Sequence, residues 1–162
     1  MRFEPGTLAV LIGVSGSGKS TFAARYPSSW TLCLDAYREM ATDCAADQSA
    51  TPVAAEIQDL LLDARLARGL TTIVDSTALM PHVRTKLLAR ARYWQRPTTA
   101  VLFDVPLDTC EAQNASRARV VPARVLYDQH RQLPTTQQLR AEGFTEVRLA
   151  LAMVTAPAGP GR

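Results

Sequence analysis

An eight-residue stretch near the start, Gly13-Val14-Ser15-Gly16-Ser17-Gly18-Lys19-Ser20, has the residue types and spacing to hold a polyphosphate. Its glycines let backbone N–H groups converge on phosphate oxygens, and a helix opening at Lys19 would add the positive end of its dipole. Lys19 can bridge β- and γ-phosphates and Ser20 can offer its hydroxyl to magnesium, with Ser15, Ser17 and Thr21 on the same wall. Two acids extend this chemistry. Asp35 closes the apolar run Trp30–Leu34, and Asp75 closes the run Leu70–Val74. Ligands of parallel sheets gather at the carboxyl ends of strands. A carboxylate there can hold magnesium, directly or through water, or accept the proton of a hydroxyl attacking a γ-phosphate. Capping a helix is the other use of an Asp at such a position. Arg38, three residues after Asp35, could bind a phosphate in the same small site.

These groups need a scaffold, and the apolar pattern supplies one. Leu8–Ile12 is a short run closed by glycine, which suits a strand buried on both faces, and a helix follows the glycine loop. Val53, Ile57, Leu60, Leu61 and Ala64 recur at helical spacing, with Pro52 at a first helical position and Gly69 just past the end. Pro81–Tyr93 repeats the scheme with Val83, Leu87, Leu88 and Ala91 on one face, and Thr98–Phe103 reads as a fourth strand. Two more helices are predicted over Leu107–Asn114 and Pro122–Leu133, then a fifth strand over Val147–Leu151. Strands alternating with helices predict an α/β fold with a parallel sheet of about five strands covered on both faces. One domain over residues 1–154 and a loose tail over 155–162 complete the expected organisation.

Composition narrows the function classes. A chain of 162 residues and 17.6 kDa has room for one core, and 47% hydrophobic with 20% charged residues lies far from the signature of disorder. Lys19 and Lys86 are its two lysines and every other basic residue is arginine, the cation suited to planar, multidentate contact with phosphate. The net charge of +3 and pI near 9.0 permit a polyanionic partner without requiring one. No stretch approaches the roughly 20 apolar residues of a membrane span, and the start lacks a signal core, so a cytoplasmic protein is expected. Cys33, Cys44 and Cys110 form no metal-binding or disulfide pattern. Arg84, Lys86, Arg90, Arg92 and Arg96 lie in a stretch with no acid and could line the path of a nucleic acid strand, or form a solvated helix face. The acidic middle, from Asp35 to Asp63, would repel such a strand.

Taken together, the glycine loop with Thr21-Phe22, Leu34-Asp35-Ala36-Tyr37-Arg38, Asp47-Gln48, Val74-Asp75-Ser76-Thr77, Arg117-Ala118-Arg119-Val120-Val121-Pro122 and Glu142-Gly143-Phe144 resemble the polynucleotide 5'-hydroxyl kinase family. The resemblance covers residues 8–149. It implies a P-loop kinase-like three-layer sandwich with a small helical lid at about 114–126, and ATP or another nucleoside triphosphate with Mg2+ as cofactors. Lys19 and Ser20 would hold the triphosphate and magnesium, and Asp35 would be the general base. Arg38 would contact substrate phosphate, with Asp75 supporting that site. Arg117, with Arg119 beside it, would descend from the lid onto the donor phosphates. The implied reaction carries the γ-phosphate of ATP to the 5'-hydroxyl of DNA or RNA, and a sugar, nucleoside or antibiotic kinase is the alternative. A non-catalytic ATP-binding switch is a third. Position 78 is Ala where the family commonly has Asn. Relatives carry phosphatase or ligase modules beside the kinase, so separate partners of those kinds are expected here.

Overall fold

The computed structural model describes residues 1–117 and 119–150. The expected tail, residues 155–162, and the domain's own end at 154 lie outside the described residues, as does Leu151 of the expected fifth strand. Chain order is β1 (Leu8–Gly13), α1 (Lys19–Ala23), β2 (Thr31–Cys33), α2 (Leu34–Thr42), α3 (Thr51–Ala67), β3 (Thr72–Asp75), α4 (Pro81–Tyr93), β4 (Thr98–Phe103), α5 (Leu107–Ala115), α6 (Ala123–Arg131), α7 (Thr136–Glu142) and β5 (Glu146–Leu149). All five strands are parallel, in the order β2-β3-β1-β4-β5. The expected α/β sandwich is therefore the observed one. Among the described residues no helix is long and apolar enough to cross a membrane.

Strand β1 is central, and every residue of it is buried. Successive side chains of a strand point to opposite faces, and β1 supplies both cores in this way. Leu8, Val10 and Ile12 pack on one side with Leu62 and Leu66 of α3, Leu87 and Leu88 of α4 and Leu139 of α7. Ala9 and Leu11 pack on the other with Phe22 of α1, Cys110 of α5 and Leu126 of α6. Each core holds helices from both halves of the chain, so neither half can fold away from the other.

Two expectations about local placement need correction. Asp35 does not end a strand: β2 stops at Cys33 and Asp35 lies in the first turn of α2. On α3 the buried residues are Ala54, Leu62 and Leu66, while Val53, Leu60 and Leu61 are exposed. Leu60, Leu61 and Leu62 are consecutive, so an apolar stripe can be drawn on more than one face, and tertiary packing selected the one that carries small Ala54 against its neighbours.

Candidate active site

The glycine loop runs from the C-terminal end of β1 to the N-terminus of α1, between β3 and β4. Gly16 and Gly18 both take the left-handed conformation, with φ of 83° and 91°. At Gly16 a Cβ would lie 2.5 Å from the carbonyl oxygen of Cys110, so the tip of the loop rests directly on the α5 backbone. At Gly18, which caps α1, a Cβ would meet nothing within 4 Å. The first glycine permits close packing and the second keeps the helix mouth open. A cavity of about 680 Å3 fills that mouth, lined by Gly16 to Phe22 together with Arg25, Phe103, Gln113, Ser116 and Arg117 among others.

Lys19 lies beneath the loop. Its Nζ donates to the carbonyl oxygens of Gly13 (2.9 Å) and Val14 (2.7 Å) and lies 3.4 Å from Ser17 Oγ. Burial lowers its pKa to about 8, with nearby Asp75 opposing the shift and Arg117 adding to it. Ser20, one residue on, hydrogen-bonds the Asp75 carboxylate at the end of β3. Burial raises the pKa of Asp75, while Ser20 and Lys19 pull it down and Asp35 pushes it up. A hydroxyl and a carboxylate side by side beside a lysine form the pair of hard oxygen donors that magnesium takes when phosphates and water complete its shell. The loop thus fits a nucleoside triphosphate at its backbone and Lys19, and a magnesium ion at Ser20 and Asp75.

The structure brings Asp35 to the same place. It acts on Asp75 electrostatically, across the edge where β2 pairs with β3 at Cys33 and Asp75. Its carboxylate is 55% exposed, and Arg38 holds it from behind through Nη2. Arg38 itself is buried, with Nε donating to the carbonyl of Ala45 at 3.0 Å. Arg38 thus holds Asp35 with a guanidinium turned inward. Arg117 lies near enough to Lys19 and Asp75 to shift both, and Arg119 is exposed two residues further on. Thr77 closes the ring, since its carbonyl accepts from Gly13 N at 3.1 Å.

Arg84 is the site residue that the structure removes. It is 2% exposed, grips Glu142 with two nitrogens, and donates through Nη1 to the carbonyls of Ala78 and Leu79. The rest of the basic stretch is engaged too. Lys86 and Arg90 pair with Asp59, Arg90 also with Asp63, while Arg92 reaches the Glu142 carbonyl and Arg96 those of Leu66 and Ala67. The strand path expected along residues 84–96 is instead a brace between α4, α3 and α7. Ala78, standing where Asn is common in the resembling family, has φ of 45° and presents its carbonyl to Arg84.

Two polar residues that the pattern of the sequence did not single out help build the site, and a third, Glu142 of the Glu142-Gly143-Phe144 segment, braces the fold away from it. Asn114 clamps Val121 in both directions, at 2.8 and 3.0 Å, and so closes the base of the arginine-bearing loop. Gln129 of α6 accepts from Ser15 N at 2.8 Å. Glu142 anchors Arg84. Their partners lie 7, 114 and 58 residues away.

Comparison with known proteins agrees with this architecture. The AAA domain family model matches residues 8–136, and the chain belongs to that family. Among solved structures, a chain of the Pnkp1/Rnl/Hen1 RNA repair complex superposes with a TM-score of 0.71 at 20% identity, covering 85% of this chain and 47% of its own length. This chain therefore spans about half of that neighbour. A gluconokinase from Sinorhizobium meliloti 1021 superposes with a TM-score of 0.55 at 22% identity, covering 94% of this chain and 85% of its own. No curated protein matches the sequence. The fold is that of the P-loop kinases.

Proposed function

We propose that the protein is a phosphotransferase that carries the γ-phosphoryl group of ATP to the 5'-hydroxyl of a DNA or RNA strand. The observation that supports this most is the facing of two pairs across the sheet end: Ser20 with Asp75 on the donor side, Asp35 with Arg38 on the acceptor side. Loop amides and Lys19 would hold the triphosphate. Ser20 and Asp75 would hold magnesium, which when bound would supply neutralisation of the charge that builds on the transferring phosphoryl group. Asp35, exposed and held by Arg38, would take the hydroxyl proton as that oxygen bonds to phosphorus and the bond to ADP breaks. Arg117 would stabilise the transferring phosphoryl group from the loop above. Such a kinase would act alongside phosphatase or ligase activities in strand repair.

A second reading, a small-molecule kinase, is favoured by one specific observation: Arg84, Lys86 and Arg90 of the basic stretch are paired with acids of α3 and α7, which leaves fewer free charges for a strand. The two readings separate by incubating the protein with labelled ATP and either a 5'-hydroxyl oligonucleotide or a panel of sugars and nucleosides. Label on the oligonucleotide supports the first, and label confined to a small alcohol replaces it with the second. In either case Asp35→Asn should cost transfer roughly a hundredfold or more while ATP still binds. Undiminished turnover in that variant removes Asp35 as the base.

A further inference from the structure

Helix α6 is tied to the phosphate loop by a hydrogen bond, and that bond has a direction. Ser15 N lies 2.8 Å from Gln129 Oε1. A backbone N–H can only donate, so the amide oxygen of Gln129 faces Ser15 and its NH2 group faces away. That NH2 has no protein partner among the described residues. A half-buried donor beside a loop of converging amides is a group set out for a ligand oxygen.

The position along the loop says which oxygen. Gly16 to Thr21 line the cavity at the mouth of α1. Ser15 lies outside that wall, directly after Gly13 and Val14, whose carbonyls hold Lys19 Nζ. Lys19 in turn interacts with Asp75, and Asp75 with Asp35. Gln129 therefore meets the loop just ahead of the stretch that lines the cavity, next to the residues whose carbonyls hold Lys19. Its helix has little freedom to withdraw. Leu126, three residues earlier, is 1% exposed in the same core as Val14, and the Asn114 clamp on Val121 fixes the chain just before α6 begins.

We propose that Gln129 is a further residue of the phosphate site, its side-chain NH2 donating to the terminal phosphoryl group of a bound nucleoside triphosphate. The inference rests on the reading of the loop as a triphosphate site and adds to it a neutral donor carried by α6, beside the charge of Arg117. It also makes the loop amide at Ser15 and the α6 amide one unit: the first sets the orientation of the second.

Binding of ATP and of ADP, each with magnesium, to wild type and to Gln129→Glu and Gln129→Ala tests this by calorimetry. Glu can still accept from Ser15 N–H, but offers no donor and adds a negative charge where the terminal phosphate would lie. Gln129→Glu should weaken ATP about tenfold more than ADP, and Gln129→Ala should do so about threefold, with the nucleotide-free melting temperature nearly unchanged. Equal losses for ATP and ADP, or no loss in either variant, would overturn the proposal and leave Gln129 a spacer of the loop. Wild-type protein that bound neither nucleotide would overturn the triphosphate reading along with it.

Discussion

Helix α4 and the segment from Ser116 to Arg131 each carry several arginines, and their surroundings differ in the acids across from them. Arg84 and Arg90 face Glu142, Asp59 and Asp63 from other elements, and each is bound by carboxylates at contact distance. Arg117, Arg119 and Arg124 have no carboxylate partner among the described residues, and Arg131 lies over the Tyr127 ring, 5.9 Å from its centroid. One set of guanidiniums has been spent on holding helices together. In the other, Arg117 lines the cavity beside the phosphate loop with no carboxylate partner among the described residues. Residue type is the same in both, so the assignment of role comes from which elements the topology places opposite, and α3 and α7 carry the acids while α1 and α5 do not present them to the loop.

The sharpest break of this contrast is Arg117→Ala. It should lower transfer about a thousandfold, as removal of an arginine that meets transition-state charge does, while the melting temperature stays put. A variant that loses stability instead would place Arg117 with the bracing set. Arg84→Met should do the reverse. It leaves the Glu142 carboxylate without its cation and two loop carbonyls without a donor, at a cost of about 3 kcal/mol, read as a fall in the denaturation midpoint. Folded protein assayed at low temperature should keep most of its turnover.

Lys19 offers an intermediate case, a buried cation held by carbonyls with its nearest carboxylate only nearby. Its folded pKa of about 8 lies below the ordinary lysine value of 10.5. Between the two the unfolded chain keeps a proton that the folded chain has released, so stability rises with pH across that window and the gain is lost as pH falls back through 8. Measured as wild type minus Lys19→Met, so that the tyrosines cancel, nucleotide-free stability should rise by about 2 kcal/mol between about pH 8 and about pH 10, with Cys110, which interacts electrostatically with Lys19, replaced by Ala in both. A flat difference would mean that Lys19 stays charged throughout. The smallest effect belongs to the outer edge of the brace. Lys86 is mostly exposed and its partner Asp59 is also held by Arg90, so Lys86→Ala should change stability by less than about 1 kcal/mol in chemical denaturation.

Those same residues show what could be read from the chain alone. Strand β4 and helix α4 fall on their expected bounds, because one is a continuous apolar run and the other opens with Pro81 and keeps its period to Tyr93. Helix α2 gave no such signal. It follows β2 without a loop, has no side-chain cap, and turns Arg38 inward, which breaks the apolar period. Helix α7 was legible in principle. Thr135 and Gln138 form a reciprocal capping box and Gly143 closes the helix at φ 104°, a pattern that local reading can find. The loop residues of the site were visible from spacing, since the motif is local. Arg84 was misplaced and Gln129 missed for the opposite reason: each is defined by a partner more than fifty residues away.

The sheet order has a consequence for how such a protein can change its work. The donor half is seated on β1, six buried residues flanked by β3 and β4, and any alteration there disturbs both cores at once. Asp35 and Arg38 hang from β2, three residues long and paired on one side only. On the proposed reading, the residues that meet the acceptor hang from the weaker edge of the sheet, while Leu32 and Tyr37 of the same segment remain part of the core. Changing the exposed positions of the segment 31–50 while keeping Leu32, Tyr37, Arg38 and Ala50 is therefore the exchange that would ask whether this edge sets the acceptor.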